Sequence, residues 1–339
     1  MTTTNLLEKL LEGDDLSFVE STELMHKIME GKLTNSQMAA ILVALRLKGE
    51  TVEEITACAS VMREKATKIE SSFSKLLDTC GTGGDGSGSI NISTSVALLL
   101  AGGGYRIAKH GNRSMTSKCG SADLLEALGI KIELTPQQVT TCIEQAGIGF
   151  LFAPALHSSM KNVMPVRKEL GIRTIFNLLG PLTNPAGAKY QIIGLYNPEL
   201  VSKIIRVLKE LGLHSAYVFS GLNGLDEVSI EGETKVAQLK TDGEIVEFDF
   251  KPESYGYPDA PLSEIQGGSP AENAAVILDI FHGSIKGAKR NVIVLNAGFA
   301  ISAIDDCSLT EGFEKAESLL DQTAGIEAIN RLKKISNQF

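Results

Sequence analysis

The hydrophobic residues between positions 5 and 70 recur every three or four residues, which is the spacing of amphipathic helices. This pattern predicts four short helices. Thr34 with Gln37 and Thr51 with Glu54 have the spacing of capping boxes, so we expect two of the helices to begin there. Short helices are stable when their apolar stripes pack together. The region is therefore predicted to form a compact all-helical unit.

From residue 73 onward the pattern changes to short apolar runs that alternate with amphipathic segments. Strands are predicted at 73–77, 105–109, 130–134, 150–152, 190–196, 216–219 and 292–295. An antiparallel edge is predicted over 228–250, with Glu231-Gly232 as its hairpin turn. Terminal helices are predicted over 310–335. This alternation is typical of an α/β fold with a mostly parallel central sheet.

The change of pattern also predicts where the chain divides. A chain of 339 residues is long enough for about two domains. We expect a small helical domain over residues 1–70, with a contribution from about 165–185, a stretch dense in Pro, Arg, Asn and Gly. The large α/β domain is expected over residues 72–339.

A glycine-rich segment, residues 78–95, joins the first predicted strand to an apolar helix. Five glycines fall between Gly81 and Gly88, and Ser93 and Thr94 stand where the helix begins. Glycine admits positive φ and lets backbone N–H groups turn toward a ligand, while a helix N-terminus attracts anions. The segment therefore predicts a phosphate-binding loop. The alternative is a flexible Gly/Ser linker, but apolar elements on both sides argue against it.

The type of phosphate loop does not follow from its glycines alone. Gly81, Gly83 and Gly86 satisfy the G-x-G-x-x-G spacing of dinucleotide sites. In such sites, however, the helix opens inside the motif, and the next strand ends in an acid where this chain has Lys109-His110. A Walker loop is excluded because no Lys-Ser or Lys-Thr pair closes the glycine run. The pair of acids before a Thr-rich loop, found in the commonest phosphoribosyltransferases, is also absent.

A second polar segment, Lys109 to Lys118, directly follows the second predicted strand. It contains three cations, several hydroxyls and a glycine. Ligands of open α/β sheets bind at the carboxyl ends of the strands, so the segment is well placed to bind an anion. Taken alone, it would be read as an ordinary solvated basic loop.

Asp226 and Glu227 are adjacent carboxylates in a predicted loop. Mg²⁺ prefers oxygen ligands and commonly takes one or two carboxylates together with substrate phosphates. Such a pair is common on protein surfaces, and it gains weight here only because a phosphate loop is predicted nearby.

Arg167 lies in the segment Val166 to Thr174. A guanidinium group can bind a ligand carboxylate through two parallel hydrogen bonds. It can equally form an internal salt bridge, for example with Glu169, and the residues alone leave both possibilities open.

Composition limits the classes of function. A formal net charge of −9 disfavours a general nucleic-acid binder. No apolar run reaches the roughly 18 residues of a membrane span, and no export signal is visible at the N-terminus. The five cysteines are odd in number and have no C-x-x-C spacing. We therefore expect reduced thiols, a cytoplasmic location and no membrane partner.

Together, these segments closely resemble anthranilate phosphoribosyltransferases. The matching stretches are Asp78 to Thr94, Lys109 to Gly129, His157 to Pro185, and Asp226-Glu227. The resemblance extends over nearly the whole chain. One departure is Ser158-Ser159 after His157, where the family has Pro-Ala. It concerns the details of the aromatic-acid pocket and not the reaction.

The resemblance implies transfer of a phosphoribosyl group from phosphoribosyl pyrophosphate to the amine of anthranilate, a step of tryptophan synthesis. It also implies the architecture shared with nucleoside phosphorylases, two Mg²⁺ ions per subunit, and a homodimer formed through the helical domain. Donor-binding residues carried over from the family are Gly81, Gly84, Asp85, Ser89, Asn91, Ile92, Ser93, Thr94, Lys109, His110, Gly111, Asn112, Arg113, Ser114, Met115, Thr116, Ser117 and Ser121. Anthranilate contacts are Gly81, Asn112, Arg167, His110 and His157, and Mg²⁺ ligands are Ser93, Asp226 and Glu227.

Two other functions fit parts of the pattern. A pyrimidine nucleoside phosphorylase shares the architecture but uses free phosphate, has no need of Asp226-Glu227, and has a different glycine-loop pattern. A non-catalytic relative that binds nucleic acid would require a basic face and could dispense with Arg167, and the acidic composition opposes it. No general acid or base is expected, because the amine of anthranilate is already neutral at pH 7.

Overall fold

The computed structural model describes residues 2–114 and 118–339. Its N-terminal part consists of α1 (Thr3–Leu11), α2 (Phe18–Met29), α3 (Asn35–Lys48) and α4 (Val52–Lys65). The capping boxes predicted at Thr34 and Thr51 are confirmed at the starts of α3 and α4. A third box, Ser17 with Glu20, begins α2. Four helices therefore fold where the spacing predicts them.

The remaining elements alternate between strands and helices. The first half of this part comprises β1 (Leu77–Gly81), α5 (Ile92–Gly102), β2 (Ile107–Gly111), α6 (Ser121–Ala127), α7 (Pro136–Ala146), β3 (Ile148–Phe152), α8 (Ala153–Leu156), α9 (Met164–Leu170) and α10 (Ile175–Leu182). The second half comprises β4 (Tyr190–Gly194), α11 (Val201–Glu210), β5 (Ser215–Gly221), β6 (Thr234–Leu239), β7 (Ile245–Phe250), α12 (Pro270–Phe281), α13 (Ala288–Asp305), α14 (Leu309–Asp321) and α15 (Ala324–Ser336).

The described strands form one seven-stranded sheet with the order β3-β2-β1-β4-β5-β6-β7. The first five strands in that order are parallel, and β6 and β7 add an antiparallel edge. This confirms the expected fold class, a small helical part with a mostly parallel sheet. The carboxyl ends of β1, β2, β4 and β5 meet at one edge, where open α/β sheets bind their ligands.

The largest apolar core lies around α5 and α13, both of which are buried along most of their length. A second core joins the four N-terminal helices to α9 and α10 through Val166, Ile175, Phe176, Leu178 and Leu179. The stretch expected to pass back to the helical part therefore packs there. The domain boundary at residues 70–72 stays a prediction. Among the described residues, no single helix is long and apolar enough to cross a membrane; only the bent pair α13 and α14 reaches that length and composition together.

Several predicted elements are shifted or wrong. β1 begins at Leu77 and runs into the glycine segment, whereas the prediction placed it at 73–77. Residues 292–295 lie inside α13 and not in a strand, and residues 130–134 form neither strand nor helix. The turn of the β6–β7 hairpin falls at 240–244 instead of Glu231-Gly232, which precedes β6.

Candidate active site

The glycine loop connects the carboxyl end of β1 to the N-terminus of α5, as the sequence predicts. Gly83, Gly84, Gly86 and Gly88 adopt φ between 64° and 74°, a region that other residues rarely occupy. Ser93 and Thr94 lie in the first turn of α5. Backbone N–H groups of the loop and of the helix start are thus gathered at the ligand-binding edge of the sheet.

Asp226 and Glu227 lie against the two ends of this loop. The N–H of Gly83 donates to Asp226 Oδ2 at 2.6 Å, and the N–H of Ser93 donates to Glu227 Oε1 at 3.2 Å. The segment after β5 therefore reaches back over β4 to the loop after β1. The three predicted metal ligands, Ser93, Asp226 and Glu227, are brought together.

A notch in the sheet edge receives the backbone of Asp226. Gly81 and Gly194 are the last residues of β1 and β4 and are paired in register. A Cβ atom on Gly81 would overlap the Asp226 carboxylate, and one on Gly194 would overlap the Asp226 carbonyl oxygen. The absence of both side chains is what allows the carboxylate segment to lie this close to the glycine loop.

The carboxylates at the loop repel one another. Burial, followed by the charges of Glu227 and Asp85, raises the pKa of Asp226 well above its usual range. Burial raises the pKa of Glu227 to about 8, against the opposing effects of Lys109 and of the Ser93 N–H. Within the described part of the chain, Glu227 Oε2 and Asp85 Oδ2 are buried without a hydrogen-bond partner. Such a cluster suits a divalent cation, which would offset the charge and use the orphaned oxygens.

Protein side chains alone do not complete a metal site. Across residues 2–114 and 118–339, no group of three or more His, Cys, Asp or Glu side chains is arranged to hold an ion.

A buried polar layer supports the loop from below. Lys109, only 2% exposed, donates from Nζ to the Thr79 carbonyl at 2.5 Å and to Ser93 Oγ at 3.3 Å. Asp78 is fully buried and accepts from the His110 N–H and from Gln191 Nε2, both at 3.2 Å. Lys109 is therefore an internal cation beneath the carboxylates. Asp78 and Gln191 are not among the predicted site residues, although a charged residue within a buried strand is itself a signal.

The polar segment after β2 is tied to the start of α6. The N–H of Asn112 donates to Ser121 Oγ at 3.2 Å, and this hydroxyl donates to the Asn112 carbonyl at 3.1 Å. Ser121 is thus placed beside the segment, and its role in binding the donor stays a prediction. The predicted donor-binding residues Met115, Thr116 and Ser117 lie outside the described residues.

Arg113 is held by the acids of α6. Its guanidinium forms ion pairs with Glu126, at 2.9 Å between Nη2 and Oε1, and with Asp123 at 3.2 Å. Asp123 also accepts from the Ser114 N–H at 3.1 Å. Asp123 and Glu126 therefore fix the conformation of the polar segment. They also form ion pairs with the guanidinium of Arg113, which was predicted to bind the donor.

His110 and His157 face each other with ring centroids 5.1 Å apart. Burial lowers the pKa of His110 to about 3, assisted by the charges of His157 and Lys109, and burial lowers the pKa of His157 to about 4, assisted by Lys68. Both imidazoles are therefore neutral at pH 7. Neither Nε2 atom has a hydrogen-bond partner within the described part of the chain.

Arg167 lies half-buried on α9, with its guanidinium carbon 5.7 Å from the centre of the Phe176 ring. Burial lowers its pKa. Among the described residues no carboxylate lies within ion-pair distance, so the salt bridge with Glu169 is not formed. Gly180, whose backbone hydrogen-bonds His110, is one helical turn from Phe176 on α10. Arg167 and His110 thus contact the same helix, and His157 lies against His110.

The far side of the glycine loop is held by residues that the sequence analysis missed. Asn273 donates to Asn91 Oδ1 at 2.9 Å, and Asn91 donates to the Cys119 carbonyl at 3.0 Å. Gln266 donates to the Ser87 carbonyl at 2.5 Å and is bridged to Ser89. Nothing in their spacing marks the residues near α12 as neighbours of the loop.

The chain combines a helical bundle with an α/β sheet. At the sheet edge it carries a phosphate loop and a carboxylate pair, which together are typical of a group-transfer enzyme. The family model for the glycosyl transferase family, helical bundle domain, matches residues 4–66. The model for the a/b domain of the same family matches residues 74–325. The match covers most of the chain.

Comparison with similar proteins identifies the family within this class of enzymes. The anthranilate phosphoribosyltransferase of Persephonella marina is 48% identical over 332 residues, covering 97% of this chain and 98% of the relative. That of Petrotoga mobilis is 49% identical, covering 98% and 96%. The crystal structure of anthranilate phosphoribosyltransferase from Thermus thermophilus has a TM-score of 0.92 at 41% identity, covering 98% of this chain and 99% of that one. The chain belongs to the anthranilate phosphoribosyltransferase family.

Proposed function

We propose that the protein transfers the 5-phosphoribosyl group of phosphoribosyl pyrophosphate to the amine of anthranilate, giving N-(5-phosphoribosyl)anthranilate and pyrophosphate in tryptophan biosynthesis. The observation that carries this proposal is the position of Asp226 and Glu227, which bond to opposite ends of the glycine loop. A phosphate cradle and a carboxylate pair in direct contact suit a polyphosphate donor that binds with metal.

The donor pyrophosphate binds along the glycine loop and the start of α5. Support comes from the four positive-φ glycines and from the N–H groups at the helix N-terminus. The residues carried over from the family between Gly81 and Thr94 lie in this region, and those from Lys109 to Ser114, with Ser121, lie across the sheet edge from it. The amino group of Lys109 is buried beneath the glycine loop, so we expect it to attract the donor through its charge and not by direct contact.

Mg²⁺ is the implied cofactor, with two ions per subunit held by Ser93, Asp226 and Glu227 together with donor oxygens. The orphaned Glu227 Oε2 and the crowded carboxylates support this assignment. A similar structure, from Saccharomyces cerevisiae, is described as a complex with phosphoribosyl pyrophosphate and Mg; it is 26% identical and has a TM-score of 0.90. When bound, Mg²⁺ supplies positive charge that stabilises the departing pyrophosphate.

Anthranilate binds between Arg167 and the histidine pair. Arg167 is a half-buried cation without a carboxylate partner among the described residues, so it is available for the single carboxylate of the substrate. The neutral rings of His110 and His157 offer an apolar, uncharged border for the aromatic ring. The remaining proposed anthranilate contacts are Gly81, the last residue of β1, and Asn112, which directly follows β2. Another Saccharomyces cerevisiae structure, 25% identical with a TM-score of 0.88, contains 4-fluoroanthranilate.

The reaction requires positioning more than proton transfer. The amine of anthranilate is neutral and attacks without prior deprotonation, while positive charge develops on the ribose ring as pyrophosphate leaves. The loop amides bind the donor phosphates, and the carboxylates would hold the metal that binds with them. Arg167 orients the acceptor, so the reacting atoms are brought together. A positively charged histidine would repel the positive charge that develops on the ribose. Because His110 and His157 are neutral, they do not have this effect.

Pyrophosphate release measured on the purified protein tests the proposal. We expect release that requires both anthranilate and Mg²⁺. Pyrophosphate release that does not depend on anthranilate would reject anthranilate as the acceptor. Phosphorolysis of thymidine with inorganic phosphate, without pyrophosphate release, would instead favour the nucleoside phosphorylase alternative.

The protein is further proposed to be a homodimer formed through the helical part. Leu11, Val19 and Leu47 are 70%, 73% and 81% exposed there, and a second copy of this chain would bury them. Light scattering should give a dimer mass for the wild type and a monomer mass for Leu47→Glu. A cytoplasmic location remains a prediction from cysteine usage.

A further inference from the structure

Arg173 joins the glycine loop to the connection between α9 and α10. Its guanidinium carbon lies 3.8 Å from the centre of the Tyr196 ring, a stacked cation–π contact, and its Nη2 donates to the carbonyl of Gly84. Arg173 is itself exposed, and no role in the reaction follows from the sequence pattern.

Tyr196 and the backbone of Arg173 are each held by further hydrogen bonds. The N–H of Tyr196 donates to Thr82 Oγ1 at 3.2 Å, and the N–H of Thr82 donates to the Gly194 carbonyl at 2.9 Å. On the other side, Arg46 of α3 donates to the carbonyl of Arg173 at 2.6 Å. A continuous set of contacts therefore runs from the helical part, through Arg173, to the loop.

The hydrogen bond from Arg173 to the Gly84 carbonyl fixes the orientation of the whole peptide group between Gly84 and Asp85. A peptide unit is planar and trans, so its C=O and the following N–H point in opposite directions. Because the Gly84 carbonyl points at Arg173, the N–H of Asp85 points away from it. Gly84 has φ of 71°, and as a glycine it has many other accessible conformations. Holding this one carbonyl selects the orientation of a peptide group in the cradle.

We propose that Arg173 is a positioning residue for the phosphoribosyl donor: stacked on Tyr196, it orients the Gly84–Asp85 peptide of the cradle and ties the cradle to the helical part. This inference rests on the proposed function only in naming the donor. Arg167 lies six residues earlier, on α9, so the segment that carries the proposed anthranilate contact also holds the donor loop.

The experiment compares Arg173→Ala, Arg173→Lys and Tyr196→Leu with the wild type. Arg206→Ala is the matched control, because Arg206 is an exposed arginine of α11 for which no ion pair or hydrogen bond is recorded among the described residues. Donor and acceptor KM are measured separately. Hydrogen–deuterium exchange of residues 82–88 is measured without substrates, which makes it independent of the reaction.

We expect Arg173→Ala to raise the donor KM about 5- to 30-fold, as the loss of one stacked, charge-assisted contact implies, and to change the anthranilate KM by less than about twofold. Exchange should become faster in residues 82–88 only. Arg173→Lys should recover part of the donor affinity, and Tyr196→Leu should resemble Arg173→Ala. The double variant should be no worse than either single one, since both remove the same contact.

Two outcomes would overturn the inference. One is a lowered melting temperature with unchanged donor KM and unchanged loop exchange, which would make Arg173 a stabilising residue only. The other is an equal effect in Arg206→Ala. Either result leaves the proposed function intact. An inactive wild type would reject the proposed function, but it would not affect the exchange measurement on Arg173, which is made without substrates.

Discussion

The buried histidine pair predicts how the stability of the folded protein depends on pH. His110 and His157 are 8% and 6% exposed, and burial lowers their pKa to about 3 and about 4, from an ordinary value of 6.5. In the unfolded chain both bind a proton as the pH falls below 6.5, whereas in the folded protein they do not. At these two positions the unfolded state therefore binds more protons, and the contribution of the histidine pair to stability falls as the pH is lowered from about 6.5 toward 4.

The size of the loss follows from these values. At pH 5 each histidine in the unfolded chain is almost fully protonated, which stabilises that chain by about 2 kcal/mol per histidine relative to pH 7. Both folded-state pKa values lie at least one unit below pH 5, so the figure depends little on where they fall. The pair together is expected to cost the folded protein about 4 kcal/mol between pH 7 and pH 5.

The perturbation is His157→Gln, which keeps a polar side chain but cannot be protonated. Urea unfolding should be followed by circular dichroism, because the chain has no tryptophan. We expect the variant to lose about 2 kcal/mol less than the wild type between pH 7 and pH 5. His282→Gln, at an exposed histidine after α12, should keep the wild-type dependence. Identical pH profiles for His157→Gln and the wild type would refute the reasoning that His157 is buried and neutral.

Three further predictions concern the proposed ligand contacts. Asp226→Asn combined with Glu227→Gln should fold, since it removes buried like charges, but should weaken Mg²⁺-dependent use of the donor; an unchanged Mg²⁺ titration would contradict the metal assignment. Gly83→Ala should weaken donor binding more than anthranilate binding in calorimetry, because φ of 68° is strained for alanine although its Cβ would meet no atom within 4 Å. Arg167→Ala should raise the anthranilate KM about 10- to 100-fold with little change in donor KM, whereas a lowered melting temperature with normal anthranilate KM would mark Arg167 as structural.

Elements with a local signal were predictable from the sequence, and those defined by tertiary contacts were not. The helices that begin at Thr34 and Thr51 carry their own capping residues, so their starts were correct. Residues 292–295, in contrast, are four apolar residues within a helix that is buried on all sides, and such a run has no periodicity to separate helix from strand. The predicted bounds of β1 were wrong because Asp78 and Gly81 are residue types depleted in strands, and here they extend by pairing with β4.

The same distinction holds at the candidate site. The glycine loop and Asp226-Glu227 stand out because their residue types are unusual in those positions, and the structure brings them together. Gln191, Asn273 and Arg173 support the loop from distant parts of the chain, and their contacts depend on topology that no local pattern contains. The residues predicted to bind a ligand carry a chemical signature in the sequence, whereas Gln191, Asn273 and Arg173, which hold other residues, do not.

The notch formed by Gly81 and Gly194 has a consequence for redesign of this enzyme. Because the sheet edge itself seats the backbone at Asp226, the position of the carboxylates is set by two strand ends and not by the length of the loop that carries them. The β5–β6 connection can therefore be lengthened at Leu222 or around Gly232, on its exposed side, without displacing the acids. Any side chain introduced at either glycine would instead overlap Asp226 and displace the carboxylate segment from the sheet, so both positions require glycine for this site to form.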